Sequence, residues 1–329
     1  MPFDLPTDLR SALDKLAHGK SQRDFAHRAE MISERYRAGA GSSDTVKDAD
    51  DALAYAFTRL PATYAAVSAA LSALRAVNPD FSPRTAIDAG AGPATAAFAA
   101  VHELDGLADI RLIDDNPHLR ALGEALLASS DAAALRGAGY RAGDLIPLLG
   151  DAEPADLVIA SYAIGELSPD RLDRAADALW TATAAVLLVI EPGTPAGFER
   201  IRRLRAQLLA RGAHVIAPCP HDAACPIVAP DWCHFVQRLP RSRAHRQLKG
   251  GELSYEDEKF SYVALGRAAP KRIDARVLAR PRVGKAGIAA KLCTAEGLLN
   301  EVTPRRERAR YKARTRWRWG DAVDRSERS

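Results

Sequence analysis

The sequence predicts an α/β fold: a doubly wound parallel sheet preceded by helices and followed by a small, basic, β-rich module. Three observations carry that prediction. From Pro83 to about residue 215, short apolar runs alternate with amphipathic segments, the rhythm of strand–helix–strand units. Before that, residues 1–80 show only helix-period apolar spacing. After it, the charge changes sign. Arg267 to Ser329 hold 18 Lys/Arg against 7 Asp/Glu, a balance of +11, whereas the preceding 266 residues hold 28 against 35, a balance of −7.

In chain order, LRSALDKLA and ATYAAVSAALSALRAV place apolar residues at i, i+3 and i+4, with Pro61 at the start of the later helix. FAHRAEMISERYRAG lies between them and ends at a Gly-rich turn. TAIDAGAG reads as a strand ending in glycines, TAAFAAVHEL as a helix, DIRLIDD as a strand and PHLRALGEALLASS as a helix. DLVIASYAIGEL runs from strand into loop, DRLDRAADALWTAT is helical, and AVLLVIEPG is a strand. Beyond Cys233, LSYEDEKFSYVALGR reads as a strand with a polar lead. ARVLARPRV, GIAAKLCTAEGLLNEVTP and YKARTRWRWGD alternate as short strands with basic faces. The expected divisions are a helical region 1–80, a sheet domain 81–266, a basic module 267–321 and a flexible tail 322–329.

The totals exclude some classes. At 47% hydrophobic residues the chain is not disordered as a whole. No stretch approaches eighteen unbroken apolar residues, so no membrane span or membrane partner is expected. MPFDLPTDLRSALDKL lacks a basic region followed by an apolar run, so no secretory signal is expected. The expected location is cytoplasmic, where disulfides are disfavoured and cysteines serve as metal ligands or stay reduced. A basic tail on an acidic body points to a polyanion partner, most simply nucleic acid.

The first candidate site is Asp88-Ala-Gly90-Ala-Gly92-Pro93-Ala-Thr95. Glycines between a strand and a helix N-terminus let the backbone turn tightly and approach a ligand. Asp114 closes the next strand 22 residues after Gly92, where a ribose-binding carboxylate belongs. Asp-x-Gly-x-Gly followed by that acid fits S-adenosyl-L-methionine better than a nicotinamide cofactor. A turn with a capping acid and no ligand is the alternative. Asp144 could face the adenine, and the strand DLVIASYAIGEL delivers Ser161, Tyr162 and Glu166 to the ligand edge of the sheet. Glu166 reads equally well as a solvated helix cap. Glu191-Pro192-Gly193-Thr194-Pro195-Ala196-Gly197-Phe198 is a rigid loop at the same edge, site-shaping or a plain connector. Exocyclic-amine methylation usually needs an Asn/Asp-Pro-Pro-aromatic loop after the fourth strand, where this chain has Ala160-Ser161-Tyr162-Ala163. Carbon methylation needs a cysteine nucleophile. No catalytic residue is assigned.

The chain has four cysteines: Cys219, Cys225 and Cys233 within fifteen positions, and Cys293. Four thiolates complete the ligand set of a tetrahedral zinc or an iron–sulfur cluster. Four unrelated buried thiols are the alternative. The spacing is not that of paired zinc knuckles, and an irregular three-plus-one pattern is more usual for a cluster. His214, His221 and His234 lie near enough in sequence to replace a thiol on zinc. The spacing lacks the C-x3-C-x2-C set of a radical enzyme.

The tail carries Arg305, Arg306, Arg308, Arg310, Lys312, Arg314, Arg316 and Arg318 among Tyr311, Trp317 and Trp319. On strands, alternate basic residues make one charged face and the aromatics stack on bases. A solvated face over core tryptophans is the alternative. Arg241, Arg243, Arg246 and Lys249 add a second basic patch beside the cysteine loop.

Taken together, DAGAGPAT, ASYAIGEL, VIEPGTPAGF, the PCPHDAACP…WCHF loop, RSRAHRQLKGG and YKARTRWRWGD resemble the methyltransferase-like family of mitochondrial small-ribosomal-subunit proteins, through a bacterial member. The resemblance runs from the N-terminal helices to about Asp321. It implies a class I methyltransferase (Rossmann-like) fold and a four-iron–four-sulfur (4Fe-4S) cluster on Cys219, Cys225, Cys233 and Cys293. It also implies a role in small ribosomal subunit assembly through small-subunit rRNA. No DNA partner is expected. The leading expectation is therefore an assembly factor that binds rRNA, built on an S-adenosylmethionine-binding fold. An active rRNA methyltransferase and an iron or redox sensor gating ribosome assembly are the alternatives.

Overall fold

The computed structural model describes residues 3–37, 42–240 and 255–326. Helices α1 (Thr7–Ala17), α2 (Gln22–Arg37), α3 (Ser42–Thr45) and α4 (Ala49–Val77) come first. Pro61 lies inside α4 rather than at the start of a helix. By length and composition alone α4 could cross a membrane, but 67% of its most apolar window is buried within the protein, as in a core helix.

Strands and helices then alternate as the sequence predicts: β1 (Thr85–Ala89), α5 (Thr95–Glu103), β2 (Asp109–Asp114), α6 (Pro117–Ala128), α7 (Ala133–Arg136), β3 (Gly139–Ala142), α8 (Leu145–Gly150), β4 (Ala155–Ser161), a 3₁₀ turn at Ile164–Glu166, α9 (Pro169–Thr181), β5 (Thr183–Pro192), α10 (Pro195–Leu209) and β6 (His214–Ala217). β7 (Phe235–Pro240) and β8 (Tyr255–Gly266) follow. One sheet orders its strands β3-β2-β1-β4-β5-β8-β6, with β7 paired to β8. β1 runs parallel to β2 and β4, and β2 parallel to β3, whereas β6 and β8 are antiparallel. A late strand, β8, inserted between β5 and β6 and antiparallel to β6, is the class I methyltransferase arrangement. Continuous apolar runs such as LVIA in β4 and VLLVI in β5 are buried, as strands covered on both faces must be.

The second sheet is antiparallel: β9 (Ala275–Val277), β10 (Arg282–Val283), β11 (Ile288–Thr294), β12 (Gly297–Thr303) and β13 (Ala322–Val323). Its order is β10-β11-β9-β13, with β12 on β11. Ala275, Val277, Ala290, Leu292 and Val323 form its core, and Leu299 and Trp317 pack on them. YKARTRWRWGD is not a strand, because Arg308–Arg314 form a helix, α11. Residues 322–323 are not frayed but pair with β9.

The chain forms two compact units. One draws on described residues of Met1–Ala69, Ser82–Leu187 and Gln237–Glu258; the other is Ala70–Phe81, Leu188–Val236 and the described part of Lys259–Ser329. Within the first unit the N-terminal helices are tied to the strand-and-helix layer. Ser130 Oγ and Asp131 N donate to Asp8, and Asn116 Nδ2 donates to Val46 O.

Candidate functional site

In the first unit, β1 delivers Asp88 to the mouth of the glycine turn. Gly90 and Gly92 adopt φ of +73° and +51°, and Ala94 follows at +62°. Such left-handed backbone suits glycine, and a Cβ on Gly90 would also lie 2.4 Å from the Ala163 Cβ. Asp88 is 2% exposed. Its Oδ2 accepts from Ala97 N on the first turn of α5 (3.1 Å), and its Oδ1 has no hydrogen-bond partner. Burial pushes its pKa up to about 7 despite that hydrogen bond. Asp114 accepts from Gly92 N at 2.7 Å and Asn116 N at 2.9 Å. Burial raises its pKa, and those two hydrogen bonds oppose the rise. Each Asp114 oxygen keeps a further lone pair for a ribose hydroxyl. An unpartnered buried oxygen beside a glycine cradle fits a polar cofactor in which Asp88 meets a donor.

The remaining cofactor candidates are placed differently. Ser161 ends β4, half-buried at the ligand edge. Asp144 is exposed, caps α8 by accepting from Ile146 N, and pairs with Arg171 at 2.8 Å. Glu166 lies in the 3₁₀ turn and is exposed. The sequence reading missed a cluster around Tyr162, which sits at φ +56°. Tyr162 Oη donates to Glu258 Oε1 at 2.8 Å, and Arg59 Nη2 donates to the same oxygen at 3.2 Å. These positions are 199 residues apart at the extremes, so no local pattern could reveal them. Tyr140 was also missed: its Oη donates to Gly92 O at 2.7 Å and steadies the turn.

In the second unit, Cys219 follows β6, Cys225 lies in the next loop, Cys233 precedes β7 and Cys293 sits on β11. All four line one cavity, together with Phe198, Arg205 and Arg276. Burial raises the pKa of the Cys219, Cys233 and Cys293 thiols, to about 12 for Cys293; neighbouring cysteines push the same way, and Arg276 opposes. Ser261 Oγ donates to Cys233 O, and His221 Nε2 lies 3.6 Å from Cys293 Sγ. Among the described residues, no three His, Cys, Asp or Glu side chains close on one point as a single metal ion requires. Four thiols lining one cavity are a soft donor set of the kind that thiolate-bound metal centres use. His214 is bound to Asp222 (3.0 Å), and His234 stacks on Trp232 at 5.1 Å.

The EPGTPAGF loop has a packing reason. A Cβ on Gly193 would meet the Lys259 backbone at 2.6 Å, and one on Gly197 would meet Pro192 O at 2.0 Å. Trp232 Nε1 donates to Gly193 O, which fixes the loop against the cysteine segment.

The basic tail divides. Arg305, Arg306, Arg308, Lys312, Arg316 and Arg318 are exposed. Arg310 is half-buried and pairs with Glu307 and Glu301. Arg314 is 3% exposed, bonded to Glu301 at 2.7 Å and to Thr303, with Trp317 at 4.9 Å. The tryptophans are not free to stack on bases: Trp319 donates to His234 O, and Trp317 joins the core of the second sheet. The expected one-sided strand face is thus a helix with one cation turned inward. Arg241, Arg243, Arg246 and Lys249 lie outside the described residues.

Residues 49–324 match the family described as mitochondrial small ribosomal subunit Rsm22. The chain belongs to that family. It is 30% identical over 296 residues to the human ribosome assembly protein METTL17, mitochondrial, covering 82% of this chain and 62% of that protein. It is 27% identical over 254 residues to Rsm22-cox11 tandem protein 2, mitochondrial, of Schizosaccharomyces pombe, covering 68% of this chain and 32% of that one. The Rsm22-family chain therefore spans from about a third to about three fifths of these relatives' length. Among solved structures, it is similar to the magnesium protoporphyrin IX methyltransferase of Synechocystis with bound SAM, at 10% identity and a TM-score of 0.41, over 80% of this chain and 99% of that one. It is also similar to the plantazolicin methyltransferase BpumL with SAH, at 9% identity and 0.44, over 75% and 98%. Likenesses this distant say nothing of ligand or reaction here.

Proposed function

We propose that this Rsm22-family chain assists assembly of the small ribosomal subunit by binding small-subunit rRNA, in the cytoplasm of a bacterial cell. Family membership over residues 49–324 is the observation that carries the reading. Exposed Arg305, Arg306, Arg308 and Lys312 supply phosphate contacts, which give affinity that falls steeply with salt. In the first unit, Asp88, Gly90, Gly92, Asp114, Asp144 and Ser161 hold S-adenosyl-L-methionine. The glycines let the ligand approach the backbone closely, Asp88 Oδ1 accepts a donor, and Asp114 accepts from the ribose. When bound, that cofactor supplies an electrophilic methyl group. In the second unit, Cys219, Cys225, Cys233 and Cys293 hold a 4Fe-4S cluster, with zinc as the lesser alternative, and so cross-link β11 to the loop between β6 and β7.

A second reading, an active rRNA methyltransferase, shares this cofactor site, in which an Asp88 oxygen has no partner within the protein. One experiment separates the two: anaerobically purified protein, small-subunit particles from a deletion strain, and labelled S-adenosylmethionine. Particle binding with no label in rRNA supports assembly without chemistry. Label that disappears in Asp88→Ala and Asp114→Ala makes the chain an enzyme. Absence of particle binding overturns both readings.

A further inference from the structure

Two arginines of the second unit are buried with no ion pair to a described carboxylate. Arg276 is 1% exposed and Arg205 is 4% exposed. Arg276 Nε donates to Pro218 O (2.7 Å) and Nη1 to Gly320 O (2.8 Å), while Nη2 is buried with no partner. Arg205 Nη2 donates to His221 O (2.9 Å) and Ala223 O (2.8 Å), while Nε is buried with no partner. Neither forms an ion pair with a described Asp or Glu, although Arg200, Arg272, Arg310 and Arg314 of the same unit all do. Carbonyl dipoles do not neutralise a guanidinium, and a lone buried charge is unfavourable by several kcal/mol.

What these two cations do face is the cysteine cavity. Both line it, and Arg276 on β9 sits directly opposite Cys293 on β11 in the antiparallel register, on the same face of the sheet. Four thiolates around a doubly positive centre leave two net negative charges. That count is the same for a zinc ion and for an oxidised 4Fe-4S core. Two guanidiniums balance it.

We propose that Arg205 and Arg276 are built-in counter-cations of the four-cysteine metal centre, making the filled site neutral and the empty site electrostatically unstable. The inference rests on the reading that the four cysteines hold metal. It assigns the arginines a positioning role in metal retention, through charge rather than ligation.

The test uses the full-length chain, purified anaerobically, with iron, sulfide and zinc measured first. Arg276→Met and Arg205→Met remove charge, and Arg276→Lys and Arg205→Lys keep it. Metal loss to a chelator and the melting temperature of loaded and metal-free protein are then recorded. The Met variants should lose metal about 10- to 100-fold faster, the range typical of disrupted outer-shell partners. They should melt below the wild type when loaded but at or above it when metal-free. The Lys variants should retain most of the loaded stability. If the centre is a cluster, its midpoint potential should fall in the Met variants, since the reduced form carries one more negative charge. Arginines that merely brace Pro218 and Gly320 would lower both melting temperatures alike and leave the potential unchanged, which overturns the proposal. A wild-type chain devoid of metal sinks the metal centre and this inference together. A wild type that holds metal, with Met variants matching its retention, sinks the inference alone.

Discussion

At the scale of single residues, burial decides which charged groups serve binding and which serve the fold. Asp88 has a raised folded pKa, about 7 against about 4 in an unfolded chain, so the fold keeps a proton that the unfolded chain releases. Stability from this site is complete below about pH 4 and is lost as pH rises through 7, a few kcal/mol at about 1.4 kcal/mol per pKa unit. Asp88→Asn should therefore melt higher than the wild type at pH 7.5 without cofactor, with the gap closing toward pH 4; equal gaps at both pH values would count against the burial argument. Arg314 shows the reverse case. Arg314→Met would take from Glu301 its shortest ion pair and from Thr303 a buried donor while Arg310 still pairs with Glu301 at 3.3 Å, and should destabilise the second unit by about 1–3 kcal/mol in denaturant melts. Arg308→Ala and Lys312→Ala should leave stability within about 0.5 kcal/mol. Each should also reduce the slope of log affinity for small-subunit rRNA against log salt by about one.

At the scale of elements, the two glycines of the Glu191–Phe198 segment are fixed by close approach rather than by flexibility. Gly197→Ala would drive a methyl group into the Pro192 carbonyl, and Gly193→Ala one into the Lys259 backbone. Each should lower stability by about 1–3 kcal/mol or more, read as a shift in the denaturation midpoint with unchanged slope. The tail illustrates the limits of periodicity. YKARTRWRWGD alternates cation and neutral residue like a strand, yet residues 308–314 are helical. The helix places Arg310 and Arg314, four residues apart, on one side where both reach Glu301. That carboxylate sits on β12, and its pairing could not be read from the local sequence.

At the scale of the whole molecule, removal of the proposed metal is the decisive perturbation. Cys293 is 60 residues along the chain from Cys233, so the proposed ligation would close a long loop and couple metal binding to folding. Chelation should lower the melting temperature of the wild type. Cys→Ser at any of positions 219, 225, 233 or 293 should reproduce that loss and be insensitive to further chelation. Four variants with wild-type melting would remove the case for a shared centre.

The sequence by itself determined the alternation of strands and helices, the glycine turn between Asp88 and Thr95, the acid at Asp114 and the number of thiols. These are local: a strand end, a turn and a helix start lie within about ten residues of each other, and apolar period reports burial directly. Family membership was legible for the same reason, because motif order survives where contacts cannot be seen. Only the tertiary structure decided that four cysteines share one cavity, that Arg314 turns inward while Arg308 stays in water, and that Arg205 and Arg276 line the thiol cavity with no ion pair to a described carboxylate. Each of those facts depends on what a side chain meets across tens or hundreds of residues. A charge in a sequence has no sign of its surroundings until the chain has folded around it.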